Sequence, residues 1–161
     1  MGGTARWWVQ ATGYGPVTVV TSPRGVRAIR LPGDPAPPVG RPDDPDPWVS
    51  ARLDDWLVGR VHELDLPLDL DGVGGFRRRV LDTLAREVGW GETVSYGELA
   101  AMAGRPGAAR AVGNVMASNP LPLAIPCHRV VASGGRIGGY GGGRDAVALK
   151  RALLAREGVA L

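Results

Sequence analysis

Cys127 is the only cysteine of the 161-residue chain, and in "IPCHRVV" it stands between a proline and one of the two histidines, His128. A thiol with a base at hand is the minimal arrangement for nucleophilic chemistry at sulfur, since the base enlarges the thiolate fraction of a group whose ordinary pKa is about 8.5. A lone cysteine is more often a small buried hydrophobe, so the flanks must decide. Before it runs the proline-punctuated "NPLPLAIP" and after it "SGGRIGGYGGG", and neither suits an ordinary core strand or helix. The glycine run has seven glycines in residues 134–143, without the Lys-Ser/Thr ending of a phosphate loop or the fingerprint of a dinucleotide fold. It reads either as a surface loop or as backbone that approaches a ligand closely, with Tyr140 as a wall or hydrogen-bonding lid. In extended backbone consecutive side chains point to opposite faces, so adjacency alone does not make Cys127 and His128 a dyad.

Composition narrows the chemistry further. One cysteine forbids an intramolecular disulfide, and with His62 as the only other imidazole there is no Cys/His cluster for structural zinc. No metal and no cofactor is expected. A hydrophobic fraction of 44% suits a globular chain, and no run of eighteen apolar residues or signal-peptide order appears, so a cytoplasmic protein off the membrane is expected. Charge is uneven along the chain. Residues 1–71 hold seven Arg against ten Asp and Glu, whereas residues 72–161 hold twelve Lys and Arg against six acids. The second half therefore either meets a polyanion or carries an ordinary solvated charged face.

The elements that must position these residues fall into two parts, 1–71 and 72–161. In the first, "ARWWVQAT", "PVTVVTS" and "GVRAIRL" are strand-like runs separated by "GYG" and "SPRG", which predicts a small antiparallel meander. Val17, Val19 and Thr21 share one face of the second run, and Val26 and Ala28 one face of the third. Residues 32–47 hold seven of the fourteen prolines and read as an extended surface loop. Beyond it, Trp48, Leu53, Trp56 and Leu57 recur at helical spacing.

The second part is mainly helical, and the fold class is α+β. Phe76, Val80, Leu81, Leu84 and Val88 form one helical face, opposite a solvated face that includes Arg77, Arg78 and Arg79. Ser95 with Glu98 gives a capping box, "GRPG" breaks the chain, and "AARAVGNVMASN" starts another helix with Ala108, Ala111, Val112, Val115 and Met116 inward. This is a helix-turn-helix candidate. Its second helix carries the small residues Ala108, Ala109, Ala111 and Gly113, which permit close approach to a groove, and Arg110 at its start, which reaches bases or fills a gap in a stack.

At these residues a family becomes visible. "GETVSYGELAAMAG", "RAVGNVMASNPLPLAIPCHRVVASGGRIGGYGGG" and "ALKRALLAREG" resemble the O6-alkylguanine-DNA alkyltransferases, almost continuously from Phe76 to Gly158. The "PCHRV" core is specific to that setting, whereas the N-terminal meander resembles the family's first domain in arrangement only. The resemblance implies a ribonuclease H-like first domain and a winged-helix-like second one. It implies that Cys127 accepts the alkyl group, while His128 relays its proton through a water toward Glu157 and Asn119 ties the network to the recognition helix. Tyr96 would donate to N3 of the guanine leaving group. Val130, Gly141, Tyr140 and Met116 would border the base, and Arg110 would occupy its place in the stack, beside Ala109, Ala111 and Gly113 at the DNA.

The chemistry is consistent with that assignment. Moving an alkyl group from oxygen to sulfur is an in-line displacement at carbon, and O6 of a stacked guanine is reached only once the base is extruded, at a cost of about a few kcal/mol. The thioether is not hydrolysed, so the protein acts once, on double-stranded DNA with O6-alkylguanine and on O4 of thymine. A monomer in solution is expected, with assembly of copies along DNA left open. Two positions depart from the family: Gly141 stands where a serine is frequent, and Ala117 where a basic residue is common. The family's zinc-binding cysteines are absent. Two other classes remain open at this point, a non-catalytic alkylated-DNA-binding or regulatory protein, against which Cys127 speaks, and a thiol hydrolase, for which no independent catalytic histidine exists.

Overall fold

Runs rich in Trp, Val, Thr and Ile make three strands, β1 (Arg6–Gln10), β2 (Val17–Ser22) and β3 (Gly25–Arg30), paired antiparallel in the order β1-β2-β3. They belong to a computed structural model that describes residues 5–34, 38, 40–140 and 144–161. Trp8, Val19 and Ile29 align in one row across the sheet, each no more than 3% exposed. The register then slips between Val20 and Thr21, which pair with Ala28 and Val26 and leave Arg27 as an extra residue. Because side chains alternate with period two, one inserted residue moves the rest of the strand to the other face. The buried pair on β3 is therefore Val26 and Ile29, not Val26 and Ala28. Thr21 is likewise half-buried, and Val20 is buried instead.

Asp46 starts α1 (Pro47–Leu57). Its carboxylate accepts from the amides of Trp48 and Val49, both at 3.0 Å, and Pro47 occupies the first helical position, where no amide donor is needed. The inner face is Val49, Leu53, Trp56 and Leu57. Trp48, expected inward, is 56% exposed, because the spacing that closes on Leu53 and Leu57 begins at Val49. From β1 the Gln10 side-chain amide donates to Ser50 O at 3.0 Å and Asp54 Oδ1 at 2.7 Å, fastening helix to sheet.

The chain divides into two compact units, Met1–Asp71 with Pro120–Ala124, and Gly72–Asn119 with Ile125–Leu161. Within the first, the Ile29 amide donates to Pro120 O at 2.9 Å. The second unit is built on α2 (Gly75–Glu87), whose Val80, Leu81, Thr83 and Leu84 are buried, with Val88 buried just past its end. A two-residue strand β4 (Val94–Ser95) leads into α3 (Tyr96–Met102), where Ser95 Oγ accepts from the Glu98 amide at 3.0 Å. Residues 103–108 then turn the chain into α4 (Ala109–Ala117), which buries Val112 and Val115; Ala108, Ala111 and Met116 are half-buried. Both short helices pack on α2.

Of the α2 arginines expected as a solvated face, Arg78 does pair with Asp82 on the surface, whereas Arg77 and Arg79 are ties between helices. Arg77 donates to Ser118 O at 2.7 Å and Arg79 to Ala103 O at 3.3 Å, each at the end of a helix where carbonyls lack intrahelical partners. Arg105 and Arg79 lie over the Phe76 ring at 4.3 and 5.6 Å from its centroid. After a 3₁₀ turn at Cys127–Arg129, β5 (Val130–Val131) pairs parallel with β4, and α5 (Arg144–Arg156) buries Lys150, Leu153 and Leu154. Among the described residues no helix is long and apolar enough to cross a membrane.

One glycine of the first unit tests this packing. Gly25 has φ +146°, and a Cβ there would stand 2.4 Å from the Pro67 carbonyl oxygen, the acceptor of the Val26 amide at 2.8 Å. Gly25→Ala should cost about 2 kcal/mol or more in urea unfolding. A midpoint within error of the parent would mean that this strand crossing is not tight.

Candidate active site

Cys127 opens the 3₁₀ turn, held by hydrogen bonds from its own amide to Ile125 O at 2.7 Å and from Arg129 N to Pro126 O at 2.9 Å. The backbone is thus helical where extended chain was expected. At three residues per turn, successive side chains fan out by about 120°, so Cys127, His128 and Arg129 leave the turn in three directions. All three are buried.

Two of those directions meet at one carboxylate. Glu157, just past α5, receives His128 Nε2 at 2.9 Å on Oε1, Arg129 Nη2 at 2.8 Å on the same oxygen, and Arg129 Nε at 3.0 Å on Oε2. Arg129 Nη1 donates to Val88 O at 2.9 Å, reaching the end of α2. The Glu157 side chain has no exposed surface. Burial alone pushes such a carboxyl up; the hydrogen bonds from His128 and Arg129 outweigh it and hold the group at about 2. His128 is pulled below its ordinary value by burial, against the upward pull of Glu157. A neutral imidazole facing an ionised carboxylate must present its Nε2–H to it, which leaves Nδ1 as the basic atom.

The third direction faces a pocket of about 130 Å³ lined by Tyr96, Gly113, Met116, Ala117, Cys127, Gly139 and Tyr140. Burial raises the Cys127 thiol, with hydrogen bonding from Asn119, the Tyr140 hydroxyl and the Lys150 charge opposing that rise. Asn119 also donates from Nδ2 to Ile125 O at 2.9 Å, so it bridges the end of α4 and the start of the thiol turn. The Tyr140 ring is buried and its hydroxyl lies against the sulfur; desolvation and the neighbouring thiol push that phenol well above its ordinary range. Burial and the same thiol raise Tyr96. Both phenols therefore stay protonated and able to donate. The Tyr96 hydroxyl reaches Gly139 O only at 3.5 Å, a long contact that a ligand acceptor could replace.

Most of the residues expected at the site converge on it. Cys127, Asn119, Tyr96, Tyr140, Met116 and Gly113 come together at the pocket, and His128 and Glu157 pair behind the thiol turn. Val130 is buried next to the turn without lining the pocket; its carbonyl accepts from Lys150. Arg110 is exposed on the first turn of α4, between the half-buried Ala109 and Ala111. Gly141 lies outside the described residues. Among the described residues no three His, Cys, Asp or Glu side chains gather where a metal ion could sit.

Sequence reasoning missed Arg129 and Lys150. Lys150 is fully buried, and its Nζ donates to Val130 O at 2.6 Å and Gly139 O at 2.9 Å, about 6 Å from the Tyr96 and Tyr140 ring centroids. It ties the pocket's glycine strand to the thiol turn. Burial lowers it to about 8, despite the attraction of Cys127. A signal was present: Lys150 stands three and four residues before Leu153 and Leu154, on the apolar face of its helix.

Residues 75–159 match the model for the DNA-binding domain of 6-O-methylguanine DNA methyltransferase. A methylated-DNA–protein-cysteine methyltransferase of Mus musculus is 61% identical over 84 residues, which are 52% of this chain and 39% of the mouse protein. The chain thus matches well under half of that relative's length. Its counterpart in Mycolicibacterium paratuberculosis (strain ATCC BAA-968 / K-10) is 43% identical over 120 residues, 73% of this chain and 70% of the relative. The fold is similar to the crystal structure of Mycobacterium tuberculosis OGT in complex with DNA, with TM-score 0.85 and 34% identity, covering 95% of this chain and 93% of that one.

The buried carboxylate gives a pH signature. Glu157 titrates near 4.5 when unfolded and at about 2 when folded. Its contribution, about 3 kcal/mol, is present above pH 4.5 and is lost as the pH falls from there to about 2. Urea unfolding from neutral pH to about pH 2.5 should show this acid loss in the parent and a smaller one in Glu157→Gln. Equal acid losses in the two would mean that the carboxylate is not held as described.

Proposed function

The chain belongs to the 6-O-methylguanine DNA methyltransferase family, and on that premise we propose that it repairs DNA by direct reversal, moving the alkyl group from O6 of guanine irreversibly onto Cys127. O4 of thymine belongs to the same substrate class, being an alkylated oxygen on a base ring. One observation carries the reading: the chain's only thiol lies at a small pocket lined by Gly113, Met116 and Ala117 of α4, next to a turn whose histidine is held by a buried carboxylate.

In the proposed reaction the Cys127 proton passes to His128, through a water, and sulfur attacks the alkyl carbon in line. The S–C bond forms, the C–O6 bond breaks, and its electron pair goes to the guanine. A hydrogen bond from Tyr96 to N3 stabilises the charge that develops there until the guanine takes up a proton, which balances the one lost by the thiol. The Tyr140 hydroxyl beside the sulfur supports the thiolate. Asn119 couples the thiol to the end of α4, so seating of that helix and readiness of the sulfur go together. The product is a thioether, which water does not hydrolyse under physiological conditions, so one chain repairs one base.

Double-stranded DNA is the proposed partner, and no cofactor takes part in the displacement. We assign α3 and α4 as a helix-turn-helix within a winged-helix-like unit, and the sheet with α1 as a ribonuclease H-like unit. Support for the DNA contact comes from the small residues Ala109, Ala111 and Gly113 on α4, from exposed Arg110, and from the positive balance of residues 72–161. Arg110 would fill the stack where the damaged base has left it. Without a basic side chain at Ala117, Arg110 carries more of this contact. The chain would work as a monomer in the cytoplasm. A non-catalytic lesion binder is the second reading, and the presence of Cys127 at the pocket disfavours it.

Intact-protein and peptide mass spectrometry after mixing with a duplex containing O6-methylguanine should show one added methylene, on the Cys127 peptide. Tight binding with no mass gain would move the protein to the second reading. Arg110→Ala should slow repair of duplex about tenfold or more while leaving reaction with free O6-alkylguanine near the parent rate, because only the duplex pays for extrusion. Equal losses on the two substrates would remove Arg110 from flipping.

A further inference from the structure

Arg129 spends every edge of its guanidinium inside the protein. Two nitrogens form a fork on Glu157, at 3.0 and 2.8 Å, and the third holds Val88 O at 2.9 Å. The side chain is 7% exposed and its carboxylate partner is not exposed at all. Burying such a pair is costly for stability, and a well-packed apolar pair of similar volume would often serve as well. The position of this one, in the same three-residue turn as Cys127 and His128, calls for a reason.

We infer that Arg129 is a positioning residue of the thiol site: it takes up the Glu157 charge, so that His128 stays neutral and the turn can hold a Cys127 thiolate without a net buried negative charge. The inference rests on the proposed thiol chemistry of Cys127. Charge counting carries it. At rest the cluster holds Glu157 negative, Arg129 positive, His128 neutral and Cys127 protonated, and sums to zero. Moving the thiol proton to His128 gives two negative and two positive groups, and the sum is again zero. Without the guanidinium, the buried carboxylate is neutralised by a proton taken up either on His128, which uses up the base, or on the carboxyl itself, which removes the negative partner of a charged His128; either way ionising the thiol becomes harder.

The other groups facing the cluster do not replace it. Glu157 and Arg156 approach His128 from the end of α5, and Arg156 also lies over the Trp90 ring at 4.7 Å. Lys150, Tyr140 and Tyr96 face Cys127 on the pocket side, where the ammonium favours the thiolate but is bonded to two carbonyls and not to Glu157. Arg129 binds both oxygens of the carboxylate that His128 binds. The same fork fixes where the proton stops. Glu157, held by Arg129, is a poor acceptor, so the relay ends at His128 and the carboxylate only orients the ring.

Arg129→Gln keeps N–H donors and removes the charge, while Arg129→Lys keeps the charge and removes the fork. Three pH series are read on the full chain: alkylation of Cys127 by iodoacetamide, followed by mass; ring ¹⁵N shifts of His128, separable from exposed His62 as the only other histidine; and methyl transfer from duplex. In Arg129→Gln the His128 and Cys127 titrations should both rise by about one unit or more, with alkylation and transfer near neutral pH down about tenfold and recovering as the pH is raised. Arg129→Lys should keep the parent's pH dependence. A uniform loss at every pH in the glutamine variant, or no change, overturns the inference. If that variant does not fold, a shifted pH profile in the lysine variant overturns it. The iodoacetamide and ¹⁵N series need no DNA, so a parent that transfers no methyl group removes the repair reading and leaves this test standing.

Discussion

A carboxylate with no exposed surface has to be neutralised where it sits, and the second unit is arranged around that requirement at Glu157. Unpaired, a buried carboxylate would take up a proton and lose its function as a fixed negative acceptor. Two consecutive residues of one turn, His128 and Arg129, supply the partners, and the guanidinium continues to Val88 at the end of α2. A single cluster therefore joins the thiol turn, the helix on which the unit is built and the residue just past the last helix. Displacing any of the three breaks charge-assisted hydrogen bonds in a medium that cannot replace them, which is why the thiol sits on a stiff element although loops flank it on both sides.

Around the thiol the polar groups oppose each other in a way that suits the single-use nucleophile proposed for it. Burial raises Cys127; the Asn119 hydrogen bond, the Tyr140 hydroxyl and the Lys150 ammonium pull it back without reversing the rise. The resting sulfur is a thiol, protected from oxidants and stray electrophiles by its own desolvation. In the proposed reaction, reactivity is then conditional on transfer of its proton to His128 with an alkylated carbon already in place. On the proposed single-use chemistry, a protein gains from having its only cysteine inert until the substrate arrives.

The sequence made some of this legible and hid the rest for identifiable reasons. Cys127 was visible because it is unique and lies between proline- and glycine-rich flanks, and Ser95 with Glu98 marked a helix start because a cap is a local interaction. Trp48 misled because its size outweighed its register: Asp46 and Pro47 fix where α1 begins, and from there Val49 takes the inner position. Ala28 misled because a single inserted residue, Arg27, reverses the faces of a strand, and a bulge has no strong signature in one sequence. The extended backbone expected at Cys127 is a 3₁₀ turn set by bonds to Ile125 and Pro126. Arg129 and Lys150 were hidden by the ordinary rule that charged residues face water; only partners distant in sequence, Glu157 in one case and two backbone carbonyls in the other, make their burial tolerable.

These two hidden cations have different tasks, and the difference comes from the group each one binds. Arg129 faces a full negative charge and matches its geometry with a fork, so its contribution is electrostatic and bears on which groups of the cluster can ionise. Lys150 faces carbonyl oxygens, Val130 O beside the thiol turn and Gly139 O on the pocket wall, so it acts mainly as a bracket between two pieces of backbone. The cost of that bracket shows in the ammonium itself, lowered to about 8 by burial. Holding a glycine strand this way leaves the Tyr96 hydroxyl only a long contact with Gly139 O, at 3.5 Å. The hydroxyl that the proposed reaction directs toward the leaving base thus makes only a long bond within the protein, and binding of that base would give it a stronger acceptor.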